Sequence, residues 1–172
     1  MIGGDGGTGP AAAVTIRAAG PTDASHVARF IRELAEFERL EHQLDLDEAR
    51  IAAQMAAPNP PFGCLLAELG GMPIGFALFF QSYSTFRARP CLYLEDLFVF
   101  PAHRGGGAGR SLLRAVAQEA VRRGCPRLDW SVLDWNRLAI DFYERQGARV
   151  MPDWRICRLE GDALAVMAHG QG

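Results

Sequence analysis

The stretch from Leu92 to Leu113 reads Leu-Tyr-Leu-Glu-Asp-Leu-Phe-Val-Phe-Pro-Ala-His-Arg-Gly-Gly-Gly-Ala-Gly-Arg-Ser-Leu-Leu. Its first part, rich in Leu, Tyr, Phe and Val, has strand composition. Pro101 turns the chain, and the glycines at 105, 106, 107 and 109 form a loop. Leu112, Leu113, Val116 and Val121 then follow helical spacing. A strand feeding a glycine loop and a helix is a phosphate-binding device. Glycine removes the side chains that would hold a phosphate away from backbone N–H groups, and the helix start adds orphan donors and partial positive charge. A Walker loop would end in Gly-Lys-Ser/Thr, and this chain has no lysine. A dinucleotide Gly-x-Gly-x-x-Gly fails as well, because Arg110 or Leu112 stands where its last glycine belongs. What fits is Arg-x-x-Gly-x-Gly at Arg104, Gly107 and Gly109.

The 172 residues suit one domain, expected over residues 14–169, and 49% hydrophobic content supplies a core. No apolar run is long enough for a membrane span. Met1 to Ala13 is Gly, Ala and Pro without the layout of a signal peptide, and reads as a disordered tail. Cys64, Cys91, Cys125 and Cys157 are scattered without Cys-x-x-Cys spacing or matching histidines. They read as reduced core cysteines of a cytoplasmic protein, with no metal. The net charge of −2 conceals a segregation: Glu33 to Glu48 holds seven acids against Arg39, and Pro101 to Arg158 holds eleven arginines against six acids. One region suits a cationic ligand and the other an anionic one; both also suit solvated helix faces. The basic residues do not cluster with stacking aromatics, which argues against nucleic acid.

In chain order, Val14 to Arg17 is a short strand. A helix capped by Thr22 carries Val27, Phe30, Ile31, Leu34 and Phe37 on one face and runs to about Leu40. A second helix is expected over Asp45 to Ala57, ended by Asn59-Pro60-Pro61. Cys64 to Leu69 and Ile74 to Phe80 form a hairpin about Gly70-Gly71, and Gln81 to Pro90 is a polar loop. The strand Leu92 to Phe100 and the helix Gly109 to Arg123 follow, then a strand Arg127 to Leu133 and a helix Leu138 to Gln146 ended by Gly147. A last hairpin, Trp154 to Leu159 with Leu164 to Met167, turns at Gly161-Asp162. The elements indicate a mixed α/β sheet.

The loop from Arg104 to Gly109 resembles the pyrophosphate loop of the GNAT superfamily of acetyl-CoA-dependent N-acetyltransferases. Three further segments carry the resemblance toward its diamine (spermidine/spermine-type and thialysine-type) acetyltransferases. They are Tyr93 to Val99, Trp135-Asn136 with Phe142 to Ala148, and Ile31 to Glu38. The resemblance implies a mostly antiparallel mixed sheet of about six to seven strands, containing a splayed parallel pair, flanked by about four helices. It implies acetyl transfer from acetyl-CoA to the primary amine of a small diamine, a polyamine or an amino-acid side chain, by direct attack, in a homodimer. A peptide or protein acetyltransferase and a non-catalytic acyl-CoA-binding module are the alternatives.

Such chemistry needs a neutral amine, a polarised carbonyl and a proton for the departing thiolate. The resemblance puts Glu95 at the acceptor amine, as general base or as a partner for the substrate cation. It also implies a β-bulge beside Glu95; without one, Asp96 would face the other side of the sheet. Tyr143 matches the family's general acid; a core aromatic is the structural alternative. The backbones of Leu97, Phe98 and Val99 would bind pantetheine and polarise the carbonyl. Arg104, Gly105, Gly106, Gly107, Ala108, Gly109 and Arg110 would hold the pyrophosphate. Asn136, with Ala139, would contact CoA, and Asn136 also suits a helix N-cap. Phe37, Glu38 and Trp154 match acceptor-contacting positions; Glu38 also reads as a surface carboxylate and Trp154 as core. The family's acidic acceptor loop is replaced here by Tyr83-Ser84-Thr85-Phe86, so a short diamine or an amino acid is as suitable as a long polyamine. Arg87 and Arg89 could then hold a substrate carboxylate.

Overall fold

The computed structural model describes residues 13–170, so the first twelve residues of the expected tail lie outside the described residues. The described residues form two compact units, one ending at Ser131 and the other beginning at Val132.

The first unit is a five-stranded sheet in the order β1 (Val14–Ala18), β2 (Gly63–Leu69), β3 (Met72–Ser84), β4 (Arg89–Val99) and β5 (Leu128–Trp130). Every neighbouring pair is antiparallel except β4 and β5, which run parallel. Three helices belong to this unit: α1 (Ala24–Glu38), α2 (Glu48–Met55) and α3 (Ala108–Arg122). On one face, Val27, Ala28 and Phe30 of α1 and Ile51 of α2 pack with Cys64, Leu66, Phe76 and Phe98. The rings of Phe30 and Phe76 stack at 5.3 Å. Burying one such ring contributes roughly 1.5–3 kcal/mol. Helix α3 packs on β3 and β4 and buries Leu112, Leu113, Val116 and Ala120.

Several expected boundaries move, each for a local reason. Thr22 does not cap α1, because it lies inside a 3-10 turn, Pro21–Asp23. Asp23 precedes the helix, and its carboxylate accepts from both terminal nitrogens of Arg17 at 2.7 and 2.8 Å and from Gly20 N at 2.8 Å. Those donors hold the Asp23 carboxyl down at about 2. Helix α2 is shorter than expected, since Asp47 caps it by accepting from Ala49 N at 2.9 Å. The expected loop from Gln81 to Pro90 is mostly strand: β3 and β4 remain paired as far as Ser84 and Arg89, and only the 3-10 turn Thr85–Arg87 separates them. The turn at Gly70-Gly71 is as expected, with both φ angles positive at 59° and 80°.

The second unit contains α4 (Arg137–Arg145) and α5 (Gly161–His169). Helix α5 replaces the expected final hairpin. Ala163, Ala165 and Ala168 favour helix, Asp162 stands in its first turn, and residues 154–159 form no strand. The loss of that hairpin is why the sheet has five strands rather than six or seven. Among the described residues no helix is long and apolar enough to cross a membrane.

Candidate active site

The site grows from an irregularity in β4. Opposed residues of an antiparallel ladder share a face of the sheet. Phe98 opposes Phe76, and Asp96 opposes Leu78. The next pair is Leu94 with Phe79, followed by Tyr93 with Phe80, so Glu95 is the extra residue of a β-bulge. The bulge resets the alternation. Asp96 and Phe98 fall on the face of Leu78 and Phe76, the face covered by α1, and they share it with Tyr93. Simple alternation would have put Asp96 with Leu94 on the other side. Sequence reasoning allowed for the bulge and gave the chemistry to Glu95; the consequence for Asp96 is what it missed. Two adjacent carboxylates in an otherwise apolar strand were the available signal.

The electrostatics follow. Burial, with the charges of Glu95 and Glu38 adding to it, pushes the Asp96 carboxyl up to about 7. Glu38, half-buried in the last turn of α1, is raised by desolvation. Glu95 is exposed. Glu38, Glu95 and Asp96 therefore share one negative region at the meeting of α1 and β4. Such a region favours a cation, and Asp96 is poised to exchange a proton near neutrality.

Beyond the bulge, no strand among the described residues pairs with β4 on the β5 side. Its parallel ladder with β5 joins only Leu92, Tyr93 and Leu94 to Leu128, Asp129 and Trp130. The backbones of Leu97, Phe98 and Val99 thus lie past the end of the β5 ladder. Tyr93 closes the paired end, its hydroxyl 2.6 Å from Ser131 Oγ.

After β4, the 3-10 turn Pro101–His103 leads into the glycine loop. Gly105 and Gly107 take φ values of 83° and 88°, a region that other residues avoid. A Cβ at either would meet no atom within 4 Å, so backbone conformation, not crowding, selects glycine there. Gly107 is the N-cap of α3 and offers no side-chain acceptor to the first turn. The first intrahelical bond comes from Ser111 N to Gly107 O at 2.9 Å. The N–H groups of Ala108, Gly109 and Arg110 precede it, and the first turn has no acidic residue. This donor set suits a diphosphate.

The Arg104 side chain turns back along β4. Its Nε donates to Val99 O at 2.9 Å, and its guanidinium lies 5.0 Å over the Phe37 ring and 5.5 Å over the Phe98 ring. Phe37, expected at the acceptor, is half-buried beneath it and packs against the α1 core.

In the second unit, Asn136 caps α4 by accepting from Ala139 N at 3.1 Å, so the cap reading of Asn136 holds and the Ala139 N–H is engaged. Tyr143 is half-buried on α4, with its ring 5.2 Å from that of Phe142. Trp154 is 74% exposed, which sets aside its core reading. Among the described residues no group of three or more His, Cys, Asp or Glu side chains is placed to hold a metal ion.

A family model described as the acetyltransferase (GNAT) family matches residues 28–148. The chain is 38% identical over 168 residues to the thialysine N-epsilon-acetyltransferase of Mus musculus, a match covering 91% of this chain and 98% of that one. It is 34% identical to the L-ornithine N5-acetyltransferase NATA1 of Arabidopsis thaliana, covering 87% and 85% respectively. Among solved structures, an integron cassette protein from the mobile metagenome of V. cholerae superposes with a TM-score of 0.76 at 23% identity, covering 92% of this chain and 99% of that one. The mixed sheet with one parallel pair is the fold expected from the sequence.

Proposed function

Since this chain belongs to the GNAT acetyltransferase family, we propose that it transfers acetyl from acetyl-CoA to the primary amine of a small cationic acceptor, an amino-acid side chain or short diamine, by direct attack. The observation that carries this reading is the carboxylate group at the bulge. Glu38, Glu95 and Asp96 attract an ammonium, and Asp96 with its carboxyl near 7 takes a proton from it. A free alkylamine holds its proton up to about pH 10.4, so this transfer must precede attack. The amines named for these relatives, thialysine and ornithine, are amino acids with a side-chain amine, and they fit a chain whose hairpin tip carries Arg87 and Arg89 rather than acids.

The residues divide the work. N–H groups of Gly105 to Arg110 hold the diphosphate of CoA, and the splayed backbone of Leu97 to Val99 receives the pantetheine arm. Acetyl-CoA supplies the activated acetyl group. Asp96 accepts the amine proton and Glu95 steadies the cation. Tyr143, assigned from its motif, protonates the departing thiolate; a phenol near pKa ~10 can do so toward a thiol near ~8.5. The four cysteines are free thiols, and the attack proposed is direct, without an acyl-enzyme. We place the protein in the cytoplasm as a homodimer, which sedimentation at several concentrations tests.

The deciding experiment is a panel of lysine analogues, ornithine, short diamines and polyamines with acetyl-CoA, read by free thiol. Amino acids bearing a side-chain amine should turn over with the highest kcat/KM. Thiol release with peptides alone would refute the reading. CoA binding by calorimetry without thiol release from any amine would assign the chain to acyl-CoA binding instead.

A further inference from the structure

We infer that Arg104 is a positioning residue that couples the cofactor loop to the acceptor end of α1, an inference that rests on the functional reading above. Arg104 opens the glycine loop, yet its guanidinium is turned inward along β4. One nitrogen, Nε, holds the last carbonyl of β4 at Val99, 2.9 Å away. The same planar group covers Phe37 and Phe98 at 5.0 and 5.5 Å. Phe98 belongs to the strand segment assigned to pantetheine. Phe37 adjoins Glu38, one of the carboxylates facing the amine. A single side chain thus touches the strand end, the loop start and the last turn of α1.

The chemistry of the group explains the choice of residue. A guanidinium can bond edgewise and stack facewise at once, whereas an ammonium is a compact point charge without a fixed plane. Helix α1 ends just beyond Phe37, where Arg39 adopts a left-handed φ of 61°. The Arg104 contact therefore bears on the turn that directs Glu38. Losing it would loosen the link between the loop start and the last turn of α1. Apparent affinity falls by the fraction of molecules in the competent arrangement, and a coupling of this kind acts on both ligands.

The test uses the full chain with Phe37→Leu, Arg104→Lys and the double variant, CoA binding by calorimetry, and steady-state kinetics with the best amine of the panel. Phe37→Leu leaves every group proposed to touch CoA in place. It should nonetheless weaken CoA binding by about threefold to tenfold. Arg104→Lys should do the same while raising the amine KM by a similar factor, with kcat changed less than about twofold. The double variant should be no weaker than the worse single one, since both changes remove the Arg104–Phe37 contact through which the coupling runs. The inference is overturned if Phe37→Leu leaves CoA affinity unchanged, or if the two effects add in full. It is also overturned if Arg104→Lys moves only the acetyl-CoA KM, the signature of a direct phosphate contact. The Arg104→Lys variant decides the matter even if Phe37→Leu does not fold. Failure of the unaltered protein to bind CoA overturns the functional reading and this inference together; binding that Phe37→Leu leaves untouched overturns the inference alone.

Discussion

Replacing Asp96 by asparagine tests the centre of the site through stability as well as through rate. In the fold this carboxyl titrates at about 7 against an ordinary 3.8. The main cause is burial, followed by the charges of Glu95 and Glu38. A folded-state value raised above the unfolded one means that the native protein binds more protons between those two pH values. The stability this group confers is complete below about pH 4 and is lost as pH rises through about 7. The gap corresponds to at most about 4 kcal/mol. The substituted amide has no charge to bury and should be free of the loss. In urea denaturation, the wild type should therefore fall relative to Asp96→Asn by a few kcal/mol between about pH 5 and pH 8, making the variant the more stable protein at the upper end. Its turnover should move the other way. The rise of wild-type kcat/KM with pH near 7 should vanish, and turnover at about pH 8 should fall by about a hundredfold, the scale of a lost general base. Parallel stability profiles for the two proteins would refute the burial argument. A retained limb near neutrality in the variant would return the proton-accepting role to Glu95.

Other substitutions separate the remaining roles. Tyr143→Phe should lower kcat by about a hundredfold while CoA affinity, measured by calorimetry, stays within about twofold; unchanged turnover would remove Tyr143 from the mechanism. Glu38→Gln should raise KM for a cationic amine by about tenfold with a much smaller change in kcat, because the charge acts on binding rather than on the reacting atoms. An unchanged KM would remove Glu38 from the acceptor site. Gly107→Ala puts a Cβ at a φ of 88° in open space, so its cost is backbone strain of about 1–2 kcal/mol, readable as a lower Tm. It should also weaken CoA binding, since the donors of the first turn of α3 would shift.

What the sequence made legible was local. The glycines at 70, 71, 105 and 107 announce their turns because each takes a positive φ. The stripe from Val27 to Phe37 announces α1 because one helical face must meet the sheet. What stayed hidden depended on partners distant in the chain. Trp154 and Ile156 alternate as a strand does, but a strand needs a neighbour to pair with, and an alternating pattern does not name one. Gly161-Asp162 reads equally as a turn or as the start of a helix, and the alanines that follow tip it toward helix. The same logic governs the site. Glu95 and Asp96 are chemically alike and adjacent, so composition cannot rank them. The ranking comes from the step between Leu78 and Phe79 in the facing strand, which skips Glu95 and delivers Asp96 to the covered face. A one-residue irregularity thus decides which carboxylate is withdrawn toward Glu38 and which stays in water. Desolvation acts on the withdrawn one, so a base that titrates near neutrality follows from the bulge rather than from the identity of either residue.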